Sequence, residues 1–131
     1  MDPQREVPTG VILSPVDTAL DFGTARKIGR DVLDECFTDL ARGESGKANV
    51  TLSDVASGRS ITLWMSNDYR YVQIFSGDTL SPDKQRRGLA IEPMTCPPNA
   101  FRTGVDLIVL RPAENIRLEW GITTRIEESH G

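Results

Sequence analysis

Glu92 stands as a lone carboxylate in otherwise apolar or uncharged company, in the stretch AIEPMTCPPNAF over residues 90–101. The run that follows it, Thr95-Cys96-Pro97-Pro98-Asn99, cannot form regular structure. Two readings are open. One is a general base poised on a rigid corner. Burial beside Leu89, Ala90 and Ile91 would raise its pKa toward the working pH, and Pro93, Pro97 and Pro98 would hold the group in place. The other is an ordinary strand-end glutamate facing water. Asn99 suits a turn after the two prolines, where it would orient the Glu92 loop.

Other chemistries find little support. The one histidine, His130, precedes the C-terminal Gly131. Terminal residues are usually mobile, so a Ser-His-Asp or Cys-His mechanism is not expected from this chain alone. Cys96 has no histidine beside it and reads as a small buried residue. Cys36 and Cys96 are the two cysteines, and they lack metal-type spacing. A reduced, cytoplasmic state is the default expectation. No metal cluster, phosphate loop or dinucleotide glycine set stands out, so no cofactor is expected.

The net charge of −4 over 131 residues and the pI near 5.0 argue against nucleic-acid binding, which needs clustered Lys and Arg. Lys84, Arg86 and Arg87 form a small basic cluster that reads as a solvated loop, with a sugar-phosphate site as the sharper alternative. The apolar run LIVL, residues 107–110, is far too short to span a bilayer. MDPQREVPTG at the N-terminus has no apolar signal core, so no membrane partner is expected.

The elements that must position Glu92 are strands. Residues 1–30 are turn-rich, with Pro3, Pro8, Gly10, Pro15 and Gly23, and read as loops. DVLDECFTDLARG fits a short helix or a strand equally. ANVTLSDV and RSITLWM alternate as a hairpin joined by the three-residue connector Ala56-Ser57-Gly58. YRYVQIFSG sets Tyr69, Tyr71, Gln73 and Phe75 opposite Val72 and Ile74. LSPDKQRRG is a polar loop and GLAIE a short strand. VDLIVLRP and NIRLEWGITTRI predict two more strands. At least six strands and no long amphipathic helix indicate an all-β antiparallel sandwich. The expected organisation is a single β domain over residues 1–131. Trp64, Tyr69, Tyr71 and Phe75 offer a sugar platform or, more commonly, strand packing.

Taken in order, these segments resemble the C-terminal part of the aldose 1-epimerases, or galactose mutarotases. The likeness runs through PTGVILSPVDTALDFGTARKIG, VLDECFTDL, YVQIFSGDTL, GLAIEPMTCPPNAF and DLIVLRPAENIRLEWGI, nearly the whole chain. The resemblance implies a part of a β-supersandwich that interconverts α and β anomers of a hexose such as galactose or glucose by acid–base ring opening. It implies Glu92 as the catalytic base and Asp34 as an acceptor for sugar hydroxyls. It also places Phe75 where the strand approaches the pocket, with Asn99 on the Glu92 loop. No cofactor or metal is implied.

Members of that family are about twice this long, in keeping with all-β domains past ~200 residues. The acid histidine, a second histidine and a sugar-contacting arginine would lie in the missing N-terminal half. A fragment, a truncated frame or half of a split protein is expected, weak or inactive alone. Its partner would be another copy or a separate N-terminal half. Rival readings are a non-catalytic carbohydrate-binding or oligomerising β-sandwich fragment, and a glucose-6-phosphate-type epimerase.

Overall fold

The computed structural model describes residues 9–127. Its strands are β1 (Asp34–Phe37), β2 (Ala48–Asp54), β3 (Arg59–Met65), β4 (Tyr71–Phe75), β5 (Ala90–Met94) and β6 (Trp120–Ile126), with one short helix, α1 (Ala100–Thr103), between the last two. They form two antiparallel three-stranded sheets, ordered β1-β4-β5 and β2-β3-β6. The protein is an all-β sandwich. No regular element precedes β1 among the described residues.

Side chains alternate between the faces of each strand, and one face of each sheet is apolar. Leu33, Val72 and Ile74 from the first sheet meet Ala48, Leu63 and Met65 from the second in one buried cluster. Met65 is wholly buried. Outside the cluster the apolar cover is thin. On the inner face of the second sheet, Val50, Leu63 and Ile122 are cross-strand neighbours. Leu63 is only 6% exposed but Ile122 is 58% exposed. The β6 flank therefore lies open.

Ser76 fixes the start of β1. Its backbone N–H donates to Leu33 O at 2.8 Å, and its buried hydroxyl oxygen accepts the Leu33 N–H at 2.8 Å. This extends the β1–β4 ladder one residue beyond the Asp34–Phe75 pair. Ser76→Ala leaves a buried N–H without a partner, so it should cost about 1–3 kcal/mol. Urea denaturation should show a lower midpoint at unchanged slope; an unaltered midpoint would mean that water replaces the hydroxyl.

Three details depart from the sequence reading. The hairpin connector is four residues, 55–58. Asp54 accepts the Ala56 N–H and the Ser57 hydroxyl, which turns the chain early and leaves Val55 87% exposed. The apolar run 105–112 forms no strand among the described residues, because no neighbouring strand lies alongside to take its backbone hydrogen bonds. Between these positions, α1 was not foreseen. Of DVLDECF, ambiguous in sequence, only Asp34–Phe37 is a strand.

Candidate active site

Strands β1, β4 and β5 lie side by side, so their register decides which side chains meet. Cys36 pairs with Gln73, and Gln73 with Glu92. Asp34 pairs with Phe75, and Phe75 with Ala90. Directly opposed residues project to the same face, with neighbouring Cβ atoms about 5 Å apart. Asp34, Gln73, Phe75 and Glu92 thus share the face turned away from the core. Two carboxylates some sixty positions apart in sequence are brought onto the flanks of one central strand.

Gln73 faces Glu92 across the β4–β5 pair and is bonded to Asp34. Its Nε2 donates to Asp34 Oδ1 at 2.8 Å, while its Oε1 is buried with no hydrogen-bond partner. Buried amide oxygens are rarely left unpaired, which makes this atom an exception within the sheet. In the sequence Gln73 stands out only as a residue of the strand YVQIF. The signal that finds it is its central place in the three-strand register.

Glu92 is exposed, and none of the ion pairs among the described residues includes it. Its apolar sequence neighbours do not dry it. Ile91 and Pro93 turn to the opposite face, opposite Ile74 and Val72, as strand geometry requires. Pro93 is tolerated because β5 is an edge strand, where a missing N–H costs little.

Beyond β5, Asn99 adopts a left-handed conformation at φ 67°, which asparagine tolerates better than most residues. Its carbonyl accepts from Arg102 N at 3.0 Å and Thr103 N at 3.1 Å, opening α1. The Asn99 side chain makes no capping bond. Its evident role is to turn the backbone.

Tyr71 continues the site face of β4. It donates its hydroxyl proton to Asp106 Oδ2 at 2.6 Å, and Arg70 pairs with Asp106 Oδ1 at 3.0 Å. This ties the segment after α1 back to the sheet. Burial, then the hydrogen bond to Asp106, pushes the Tyr71 phenol from 10.0 up to about 12. Burial, then the Cys96 thiol and Glu35, pushes Cys36 from 9.0 up to about 11.

Both pKa values are raised, so both groups favour folding while neutral. Their contribution is complete below pH 9, where the unfolded thiol starts to ionise. It declines as pH rises through about 11 and 12. The folded state should therefore lose stability steadily above pH 9. Urea midpoints measured from pH 7 upward will reveal it, and a flat profile would contradict these neutral assignments. Cys36 should also alkylate slowly at neutral pH, since the thiolate is the reactive form.

The basic cluster is taken up structurally. Arg86 Nη1 contacts Asp78 Oδ1 at 2.8 Å and Asp31 O at 3.0 Å, while its Nη2 contacts Gly29 O at 2.8 Å. Hydrogen bonding by Ser76, then Arg86, holds the Asp78 carboxyl below its usual range. With Arg86 spent as a brace between loops, the sugar-phosphate reading loses its main cation. A hollow of about 260 Å³ beside it, lined by Ile28, Leu52 and Ser76 among others, lies on the core side rather than beside Glu92. Trp64 stands on the second sheet, apart from the face that carries Glu92. His130 lies outside the described residues. Among the described residues no group of His, Cys, Asp and Glu could hold a metal ion, and no helix is long and apolar enough to cross a membrane.

Comparison with known proteins gives two positive results. The family model described as aldose 1-epimerase matches residues 2–123. A protein of Escherichia coli strain K12, described as uncharacterized protein YihR, is 36% identical over 103 residues. That stretch is 79% of this chain but 30% of the relative, so the chain spans under a third of the relative's length. No solved structure matches.

Proposed function

The chain belongs to the aldose 1-epimerase family, and from that premise we propose that it carries the base side of a mutarotase site. In this reading Glu92 takes the proton from the anomeric hydroxyl of an aldohexose of the galactose or glucose class. Asp34 accepts hydrogen bonds from sugar hydroxyls, and Gln73 orients Asp34 through its Nε2. Phe75 borders the same surface, and Asn99 shapes the bend after Glu92. As the anomeric oxygen becomes a carbonyl, the ring carbon–oxygen bond breaks and an acid must protonate the ring oxygen. Rotation about the first carbon–carbon bond and reclosure then give the other anomer.

The observation that carries this proposal is that Asp34, Gln73 and Glu92 share one sheet face, Gln73 standing opposite Glu92 and bonded to Asp34. A base alone does half of the chemistry. None of the described residues is a histidine, and the site face lies open, so the acid and the cover come from a polypeptide completing the family fold. The exposed apolar residues on β6, Trp120 at 52% and Ile126 at 68%, support such a partner, because exposed apolar surface and free strand edges favour association. The proposed unit is a single, incomplete β domain over residues 1–131. Its proposed setting is the cytoplasm, supported by two free cysteines.

Polarimetry of freshly dissolved α-galactose and α-glucose tests the reading. The chain alone should barely exceed the spontaneous rate. Addition of a polypeptide bearing the remainder of the fold, such as the part of YihR outside the aligned stretch, should accelerate it. Full enzymatic rates from the chain alone would refute the need for a second acid. The non-catalytic alternative, a carbohydrate-binding β-sandwich, is supported by the solvation of Glu92; it predicts sugar binding in calorimetry with no change in anomer exchange under either condition.

A further inference from the structure

We infer that the outward polar face of the β2-β3-β6 sheet is a second carbohydrate-contact surface, where the Trp64 indole stacks on a pyranose unit of a neutral glycan. This surface is separate from the Glu92 face, and the inference does not depend on the function proposed for that face. The two sheets meet through their apolar sides, so their polar faces look outward in opposite directions.

The surface is a shallow groove of about 600 Å³, within the range of small-ligand sites. Register assembles it from two cross-strand rows. One is Asn49–Trp64–Gly121 and the other Thr51–Thr62–Thr123. Every other side chain on this face is polar, including Ser53, Ser60 and Arg125, which form the next row. A tryptophan in such a place is the informative exception.

Gly121 sets the attitude of that tryptophan. A Cβ at position 121 would lie 2.6, 2.7 and 2.8 Å from Cζ2, Cε2 and Nε1 of the indole. The Nε1–Cε2–Cζ2 side of the indole therefore leans over position 121, in space that only a glycine leaves. The Lys47 ammonium lies over the ring, 4.0 Å from its centroid. Lys47 is exposed, and such a contact is weak at an exposed site, so the lysine yields to a ligand.

The chemistry selects the class of ligand. The face of an aromatic ring is electronegative, so it attracts the slightly positive C–H face of a pyranose and disfavours an anion. Thr51 and Thr62 already share a hydrogen bond at 2.8 Å, yet each hydroxyl retains capacity for another. Asn49 and Arg125 add an amide and a guanidinium for sugar hydroxyls. Because the groove is shallow, it suits a chain of sugar units better than one enclosed monosaccharide.

The test is a titration of the isotope-labelled full chain with β-1,4-linked galactotetraose to ~10 mM, above the ~1 mM dissociation constant that marks weak binding. The chain has two tryptophans, and Trp120, on the opposite face of the same sheet, serves as the internal control. The Trp64 Nε1–H resonance should shift saturably together with the Thr62 and Thr123 amides while Trp120 stays still. Gly121→Ala, which lifts the ring without removing it, and Thr123→Val, a surface change, should each weaken binding by about tenfold. Glu92→Gln should leave these shifts intact. A stationary Trp64 resonance would overturn the inference. So would shifts confined to Gln73 and Glu92, or the same response to sodium sulfate alone.

Discussion

Glu92→Gln is expected to lower anomer exchange by about 10²–10⁴ in the completed assembly, the usual worth of one positioned proton-transfer group. This equals about 2.7–5.4 kcal/mol of transition-state stabilisation. Glutamine keeps the size of the side chain but cannot take the anomeric proton. The exposure of Glu92 means that the exchange costs the fold little, so a loss of rate would reflect chemistry. Sugar affinity should change less than the rate, because Asp34 and Gln73 remain joined. Polarimetry and calorimetry on the same preparations separate the two effects. Exchange that survives the substitution at full rate would remove Glu92 from the mechanism.

Leu33→Ala should have the largest effect on stability, about 2–5 kcal/mol. Leu33 is only 2% exposed and packs in the cluster that joins the two sheets. The core contains few buried residues, so a cavity there has little surrounding structure to relax into it. The substitution keeps the backbone bonds to Ser76, which isolates the loss of packing. A lower urea midpoint at unchanged slope is the expected result; a change of less than ~1 kcal/mol would show that this cluster contributes little. Asp34 is the next residue along β1, so sugar binding should weaken with the fold near the midpoint and remain intact well below it.

Strand content was legible because alternation is local. RSITLWM and YVQIF announce their two faces within a few residues. Residues 105–112 misled for the same reason: a β-prone composition needs a partner strand, and pairing is a long-range property. Family membership was legible in the ordered segments around Asp34, Gln73 and Glu92. The setting of Glu92 was not. Its apolar neighbours in sequence suggested a dry carboxyl, whereas a strand sends Ile91 and Pro93 to the far side.

The chain by itself therefore determined the fold class, the family and the residue types available for proton transfer, since each is written in short-range pattern and order. Only the tertiary structure decided which of those residues meet. The register of β4 between β1 and β5 places Gln73 between the two carboxylates, and the pairing of β3 with β6 seats Trp64 over Gly121. Register is the reason, because a shift of one residue would turn every one of these side chains to the opposite face.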